Sequence, residues 1–593
     1  MIFIHRTMTE GEQQPRPRRK IGCLGGCLIF FAVYFICSAI LGWIMGDAFS
    51  SSTVELKDQT VYRLQMKGTL VEQAKEDNPF ASLMNQMPYY GRYNDETTVG
   101  LDQLLSNIRL AKNDDRILGI WLDGAELSMA PASAKAIRDA LLDFKQSGKW
   151  IIASAKSYGG TNYYVASVAD RICLDPTGAV AWHGLVAQKM YYTRLMEKVG
   201  VEMQILKVGT YKSAVEPFFR TSMSEADRKQ TELYLNGIWE EYRSAVSASR
   251  GISEADLDKF ADEYIELQNA QTFADCHLVD TVVYREQMDE ILRIMSGSKD
   301  YKLMSTAKLA QVERPKAKLP NRIAVLYAEG QIVGDDGEGI TAKEILKQMK
   351  EIKKDDQVKA VVFRVNSPGG SADASEEIWH GVKDLQAKGL PVVVSMSDLA
   401  ASGGYYISCA ADYIYAEPTT LTGSIGIFGT IPNVKKIRDK VGLDIDGVGT
   451  HKHSTMGLNM IYQGMNSEEQ AMMQAMIERG YDLFTRRCAD GRKMSQDDIK
   501  KIAEGRVWLG KDAKQIGLVD DMGNMSDAIT KAAELAGIES YDINYYPESK
   551  DQLEKMLKLL SGEESEEEKL ITRLKTFAKE PRVMMLMEEV VIK

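Results

Sequence analysis

Three glycine-bearing segments in the carboxy-terminal half of the chain hold the residue types of nucleophilic catalysis: NSPGGS at 366–371, ASGGYY at 401–406 and TGSIGIFG at 422–429. Each follows or interrupts an apolar run, and glycine permits the close backbone approach that a side chain obstructs. A serine at a strand-to-helix junction beside such a loop supplies a nucleophile, and free backbone amides supply an oxyanion site. Ser402 is the candidate nucleophile. Serine at its ordinary pKa attacks poorly, so a base must lie within reach. Of the six histidines, His451 and His453 flank Lys452 in VGTHKHS, with no evident third member of a triad. A lysine serves as well if it is neutral part of the time, and burial lowers a lysine pKa by up to about 3–5 units.

The chain also repeats itself. Residues 163–184 (YYVASVADRICLDPTGAVAWHG) lie over residues 405–426 (YYISCAADYIYAEPTTLTGSIG) at a constant offset of 242. Ser402 falls on Gly160, so only the second copy carries the serine. Lys212, in KVGTYKSAVEPF, belongs to the first copy, and aligning VGT at 208–210 with VGT at 448–450 places Lys452 on it. Each half thus offers a lysine, and the duplication reads as a divided active site.

The elements that must position these residues follow a strand, crossover helix, strand rhythm, which implies parallel pairing with right-handed connections in an α/β fold. In the second copy VKAVVFRV (358–365), a helix near Ala374–Lys388 and LPVVVSMS (390–397) follow one another. ILGIWLD, a helix near Ala132–Gln146 and KWIIASAK match them in the first. TVYRLQMKGTLV (60–71) and RIAVLYAEGQIV (322–333) read as the opening strands of the copies. The expected divisions are a first repeat at 47–304, a lysine-rich, proline-broken linker at 305–321, a second repeat at 322–550 and an acidic helical tail at 551–593. Helices over 223–246 and 466–484 start at capping residues Ser224 and Asn466, and their Met, Leu and aromatic residues read as core.

Arg16, Arg18, Arg19 and Lys20 precede an uncharged stretch, 21–46, whose 26 residues suffice to span a hydrocarbon core of roughly 30 Å as one helix. The basic cluster predicts that residues 1–20 stay in the cytoplasm and that the rest lies outside it. Beyond residue 20 there are 68 basic against 82 acidic residues, a balance that argues against nucleic acid as a partner. Cys173, Cys276, Cys409 and Cys488 have no zinc-site spacing. Cys173 and Cys409 could bridge in an oxidising compartment, although scattered cysteines are more often simply buried.

The ordered set KVGTYKSAVEPF, NSPGGS, SDLAASGGYYIS, TTLTGSIGIFG and GRVWLGKDAKQIGLVD resembles the long, duplicated form of the signal peptide peptidase A (protease IV) family, over nearly the whole region beyond the anchor. The resemblance implies tandem Clp protease/crotonase-like domains and a Ser/Lys endopeptidase that needs no metal or cofactor. Ser402 takes the place of the family's nucleophile and Lys212 that of its general base. Gly370 and Gly403 take those of the oxyanion amides, and Ser424 that of a hydroxyl that orients the lysine. Lys452 stands as a rival base, since short relatives use a lysine at the second-copy position. The substrates implied are remnant signal peptides at the cytoplasmic membrane, and the assembly implied is a homotetramer. Two other readings remain at this level: a crotonase-like acyl-CoA enzyme, and a membrane scaffold without activity.

Overall fold

The computed structural model describes residues 54–73, 98–312, 319–335 and 337–547, together with the backbone of the strand Val583–Leu586. The expected membrane helix at 21–46 and the acidic run at 561–570 lie outside the described residues. Among the described residues no helix is long and apolar enough to cross a membrane.

Two sheets of closely similar build carry the two repeats. The first runs in the order Thr98–Gly100, Thr60–Val71, Ile117–Ser128, Trp150–Ala155, Arg171–Leu174, Thr281–Val282, all parallel. In the second, Leu421–Gly423, Val392–Ala401, Val358–Ser367, Arg322–Glu329 and Asp542–Tyr546 are parallel neighbours, with Val507–Leu509 antiparallel at the edge. Ile323 to Ala328 are all buried, the unbroken apolar run of a strand covered on both faces. Ala324, Leu326, Val361 and Phe363 meet the helices Ala342–Lys354 and Ala372–Ala387 on one face. Ile323, Val325 and Val362 meet the helix Met525–Ala536 on the other.

The duplication is visible element by element. Arg171–Leu174, Thr193–Val199 and Glu225–Arg250 recur, with the sequence offset unchanged, as Tyr413–Ala416, Lys435–Val441 and Ser467–Arg492. Ser224 and Asn466 cap the two long helices, as their sequence suggests. One pair of elements breaks the symmetry. Glu202–Val208 of the first repeat pairs antiparallel with Ile427–Asn433 of the second, whereas their counterparts, 444–450 and 185–191, form no strand.

That exchange builds a third sheet from both repeats: Ile340–Thr341, Ile332–Val333, Gly369–Ser371, Val583–Leu586, Ile427–Asn433, Glu202–Val208. A buried ion pair makes a second junction. Arg364 donates to Glu72 at 2.8 Å, and each side chain is 4% exposed. The guanidinium also reaches Ser395 Oγ and Ser397 Oγ at 2.8 Å, and Asn366 donates to Glu72 at 3.1 Å. At a third junction Asp398 accepts from the backbone N and Oγ of Ser133, near the start of the helix Pro131–Lys145.

Three sequence expectations are corrected. The linker does not begin at 305: Thr306–Ala310 is a helix following the strand Lys302–Ser305, and Asn107 donates to the Thr306 carbonyl at 2.9 Å. Leu309 and Val312 reach the first core from within a lysine-rich stretch whose composition conceals them. The run 322–333 is not one strand, because the chain turns at Gly330 (φ 104°) and delivers Ile332–Val333 to the third sheet. In the tail, Val583–Leu586 is a strand where a helix was expected, since this short apolar run finds two strands to pair with.

Removing one partner of a buried ion pair leaves an uncompensated charge, at a cost of about 3–5 kcal/mol. Arg364→Ala is therefore expected to lower the thermal unfolding midpoint markedly, while Arg364→Met combined with Glu72→Leu restores most of the loss. A midpoint unchanged in Arg364→Ala would show that the pair does not hold the repeats together.

Candidate active site

Ser402 stands where the strand Val392–Ala401 turns into the short helix Gly403–Ser408, with φ 55° and ψ −117°. Few side-chain-bearing residues adopt such a backbone, and it persists only when surrounding bonds impose it. Here the Ser402 amide donates to the Gly423 carbonyl at 2.8 Å, and its own carbonyl accepts from Tyr406 N at 2.9 Å. In the first repeat Gly160, the counterpart of Ser402, lies within the helix Gly160–Ala166 and is not among the residues at positive φ. The strain therefore accompanies the serine and is absent where the serine is absent.

Lys212 reaches this serine from the other repeat. The chain leaves the third sheet at Val208, and Tyr211 N donates to the Glu504 carbonyl at 2.9 Å, which lays the lysine across the second repeat. Lys212 Nζ lies 2.8 Å from Ser402 Oγ, 3.1 Å from Ser424 Oγ and 3.2 Å from the Ser424 carbonyl. Its stem needs a slot without side chains. A Cβ on Gly505, whose φ is 77°, would lie 2.7 Å from Lys212 Cβ.

Burial sets the electrostatics. Lys212 is 1% exposed, its three oxygen partners are all uncharged, and desolvation alone lowers its pKa from 10.5 to about 7. A lysine in that range is neutral for a large part of the time near neutral pH, as a general base must be. Ser424, itself at φ 48° and 2% exposed, is fixed by the hydrogen bond its backbone N–H donates to the Arg506 carbonyl at 2.7 Å.

Two amides converge beside Ser402. Gly403 opens its helix, so its N–H has no intrahelical acceptor. A Cβ on Gly403 would lie 3.1 Å from Gly370 N, and one on Gly370 would lie 1.8 Å from the Ile332 carbonyl oxygen. Only glycine fits at either place, and the two backbones approach closely because of it.

The structure thus brings together Ser402, Lys212, Ser424, Gly370 and Gly403, and leaves the other candidates elsewhere. The Lys452 side chain is 70% exposed and pairs with Glu468. His453 faces Glu468 and Glu469 at 3.4 and 3.7 Å, and His451 Nδ1 meets Thr450 Oγ1 at 3.0 Å. Cys173, Cys276, Cys409 and Cys488 are free, so no bridge joins Cys173 to Cys409.

Two supports went unread in the sequence. Gln230, from the helix Glu225–Arg250, donates to the Tyr211 carbonyl at 3.2 Å and to Ser213 Oγ at 3.1 Å, the residues on either side of Lys212. Its Oε1 accepts from Val507 N at 3.2 Å, tying the lysine loop to the edge strand of the second repeat. Lys189 and Asp227 form a buried ion pair at 2.8 Å next to it. The available signal was a polar stripe at helical spacing, Asp227, Gln230, Thr231, on a face otherwise made of core residues. Glu72 is the other support, since through Asn366 it steadies the NSPGGS loop from the first repeat.

Comparison with known proteins agrees with this division of the chain. The profile for Peptidase family S49 matches residues 143–297 and again 384–539, once in each repeat, and that for Clp protease matches residues 318–420. Protease 4 of Salmonella typhi is 37% identical over 513 residues, covering 84% of this chain and 82% of that protein. Protease 4 of Haemophilus influenzae is 38% identical over 452 residues, 72% of each. The chloroplastic serine protease SPPA of Arabidopsis thaliana is 31% identical over 452 residues, covering 74% of this chain and 66% of that protein. The α/β fold with parallel sheets and two S49 domains is therefore Clp protease-like.

A lysine held with a pKa of about 7 weakens the fold, because below pH 7 its charge is buried in the folded protein and solvated in the unfolded chain. Between pH 7 and 10.5 the unfolded state binds more protons, so this cost falls away as pH rises. Lys212→Met is expected to stabilise the protein by about 1–4 kcal/mol at pH 6, with the gain shrinking toward pH 10. Thermal melts across that range check it, and a variant less stable than the parent at pH 6 would contradict the burial cost.

Proposed function

The chain belongs to peptidase family S49 and is a serine protease, and from that premise we propose that Ser402 and Lys212 are its catalytic dyad and remnant signal peptides its substrates. The observation that carries the dyad is the 2.8 Å approach of a buried, uncompensated lysine amine to a strained serine. Neutral Lys212 takes the proton of Ser402 as Oγ attacks the peptide carbonyl. The amides of Gly370 and Gly403 hold the oxyanion, and Ser424 keeps the amine aimed at Oγ. Lys212 then gives its proton to the leaving amine, and the acyl-enzyme forms. Water, deprotonated by the same lysine, releases the acyl group and regenerates the serine. No step draws on a metal or cofactor.

Signal peptides fit what surrounds the dyad. Gly369–Ser371 and Ile427–Asn433 lie near Ser402 and Ser424, and both pair with the short strand Val583–Leu586 between them, the kind of pairing that holds an extended peptide by its main chain. Ile332, Ile427 and Phe428, buried on these same strands, make the surroundings apolar. The uncharged stretch at 21–46 anchors the protease in the inner membrane as a single span, with both repeats on the extracytoplasmic side, where such peptides remain after export.

The assembly proposed is a homotetramer. Within one chain Glu202–Val208 pairs with Ile427–Asn433, whereas their counterparts 444–450 and 185–191 form no strand. Val448 is wholly exposed, and Val186 and Met190 are exposed too. Pairing 444–450 of one copy with 185–191 of the next repeats the internal junction and sets Lys452 opposite a Gly160, where no nucleophile exists. Light scattering of the detergent-solubilised chain is expected to give four copies, and Val448→Pro to give smaller species. A monomeric parent chain would refute the assembly.

Casein or a synthetic signal peptide serves to test the chemistry. Ser402→Ala and Lys212→Ala are each expected to lower kcat by roughly 10^4-fold or more, with Lys452→Ala unchanged. For the parent chain, kcat/KM is expected to rise with pH through about 7 and then level off, as Lys212 loses its proton. Activity retained in Ser402→Ala would sink the dyad, and loss confined to Lys452→Ala would move the base to the second repeat.

A further inference from the structure

Lys212 shares its surroundings with a second lysine. Lys189 donates to the two carboxylate oxygens of Asp227 at 2.8 and 2.9 Å, and the two side chains are only 6% and 1% exposed. Lys189, Asp227, Gln230, Lys212 and Ser424 all line one cavity of about 20 Å³, room for about one water molecule. Asp227 Oδ1 also accepts from Gln230 Nε2 at 3.2 Å, and the same amide donates to the Tyr211 carbonyl and to Ser213 Oγ on either side of Lys212. One carboxylate is therefore bonded both to a buried cation and to the clamp on the lysine loop.

The duplication supplies an internal comparison. At the constant offset of 242, Lys189 falls on Ile431, Gln230 on Met472, Thr231 on Met473 and Asp227 on Glu469. Glu469 is occupied with the capping box of Asn466 and faces His453 at 3.7 Å. The second repeat thus has neither the second cation nor the amide clamp, and its own lysine, Lys452, is exposed and bound to Glu468. Of the two repeats, the polar set accompanies only the lysine that reaches a serine.

In a site shielded from water, a bare Lys189 would oppose the proton on Lys212 and a bare Asp227 would favour it, each by about one pH unit. Bonded to each other they cancel, and desolvation is left as the cause that brings the Lys212 pKa to about 7. The other charges nearby are engaged or solvated. Glu216, on the lysine loop, accepts from Ser224 N at 2.9 Å and faces Arg220 at 3.9 Å. Arg506 and Glu504 flank Gly505; the first lies over the Tyr211 ring at 5.3 Å and the second is exposed. Tyr211 and Tyr234 complete the titratable groups of the cavity. We propose that Asp227 and Lys189 are positioning residues for Lys212: the carboxylate cancels a cation that would otherwise face the base across the cavity, and through Gln230 it holds the loop that carries the base. The proposal rests on Lys212 being the base, as argued above.

The test follows kcat/KM of the full chain in detergent, with a synthetic signal peptide as the probe, as pH is varied. Lys189→Met leaves the carboxylate bare and is expected to move the midpoint up from about 7 by about one unit. Asp227→Asn leaves the cation bare and is expected to move it down by a similar amount. The double variant Lys189→Met/Asp227→Asn is expected to return to the parental midpoint, and Lys189→Arg, which preserves the charge, to keep it. Gln230→Met removes the clamp but no charge, so kcat is expected to fall roughly tenfold at an unmoved midpoint. A merely structural pair would lower activity or thermal stability without shifting the profile. Midpoints unmoved in both single variants, or moved in the same direction by both, overturn the proposal, and either variant alone decides the sign where the other fails to fold. A parent profile with no ionisation near 7 refutes Lys212 as the base, and this proposal falls with it.

Discussion

Everything distinctive about this molecule follows from pushing one lysine amine out of water. Lys212 has no carboxylate within its circle of partners, only three uncharged oxygens, so its protonated form has little to offset its desolvation. Keeping the amine there requires the rest of the architecture to insist on it. The strand Glu202–Val208 is carried across to the second repeat, Gly505 clears a path for the stem, and Gln230 holds the Tyr211 carbonyl and the Ser213 hydroxyl on either side. A buried pair, Glu72 with Arg364, and a half-buried carboxylate, Asp398 on Ser133, keep the two repeats from sliding apart beneath it.

The asymmetry between the repeats has a physical logic. In the second repeat the backbone at Ser402 is strained and glycine is obligatory at 370 and 403. In the first, the corresponding helix starts from a relaxed extended residue, and Gly160 sits within it. Once the serine is gone nothing requires the strain. The first repeat has instead become the holder: it supplies the lysine, the glutamine that fixes the lysine loop, and the glutamate that steadies the NSPGGS loop. Its core even takes in Ala401, Leu421 and Leu509 from the other repeat.

Much of this was legible in the residues. Parallel strands and crossover helices followed from β-branched runs alternating with amphipathic stretches. The long helices began at Ser224 and Asn466, where the capping chemistry placed them. Ser402, Lys212, Ser424, Gly370 and Gly403 were picked out by motif, and the structure gathers them at one place. What escaped notice was information that lies in tertiary contacts. Gln230 looks like a surface polar residue until the loop above it is known. Leu309 and Val312 were hidden in a stretch whose lysines suggested a linker, and Gly330 gave no local hint that it redirects a strand to another sheet. The rivalry between Lys212 and Lys452 could not be decided from spacing, because the two lysines follow the same tripeptide. Strand exchange between the repeats brings Lys212 to Ser402 and leaves residues 444–450 exposed.

The division of the site also has an order in time. A ribosome makes Lys212 before Ser402, and makes Gly505 and Val507, which close around the lysine, after both. Until those last walls arrive the lysine is solvated, and a solvated lysine holds its proton at neutral pH. Water therefore keeps the Lys212 amine protonated for as long as the chain is being synthesised. With Ser402 and Lys212 as the proposed dyad, the protease is harmless to its own unfolded chain until Gly505 and Val507 have closed around the lysine.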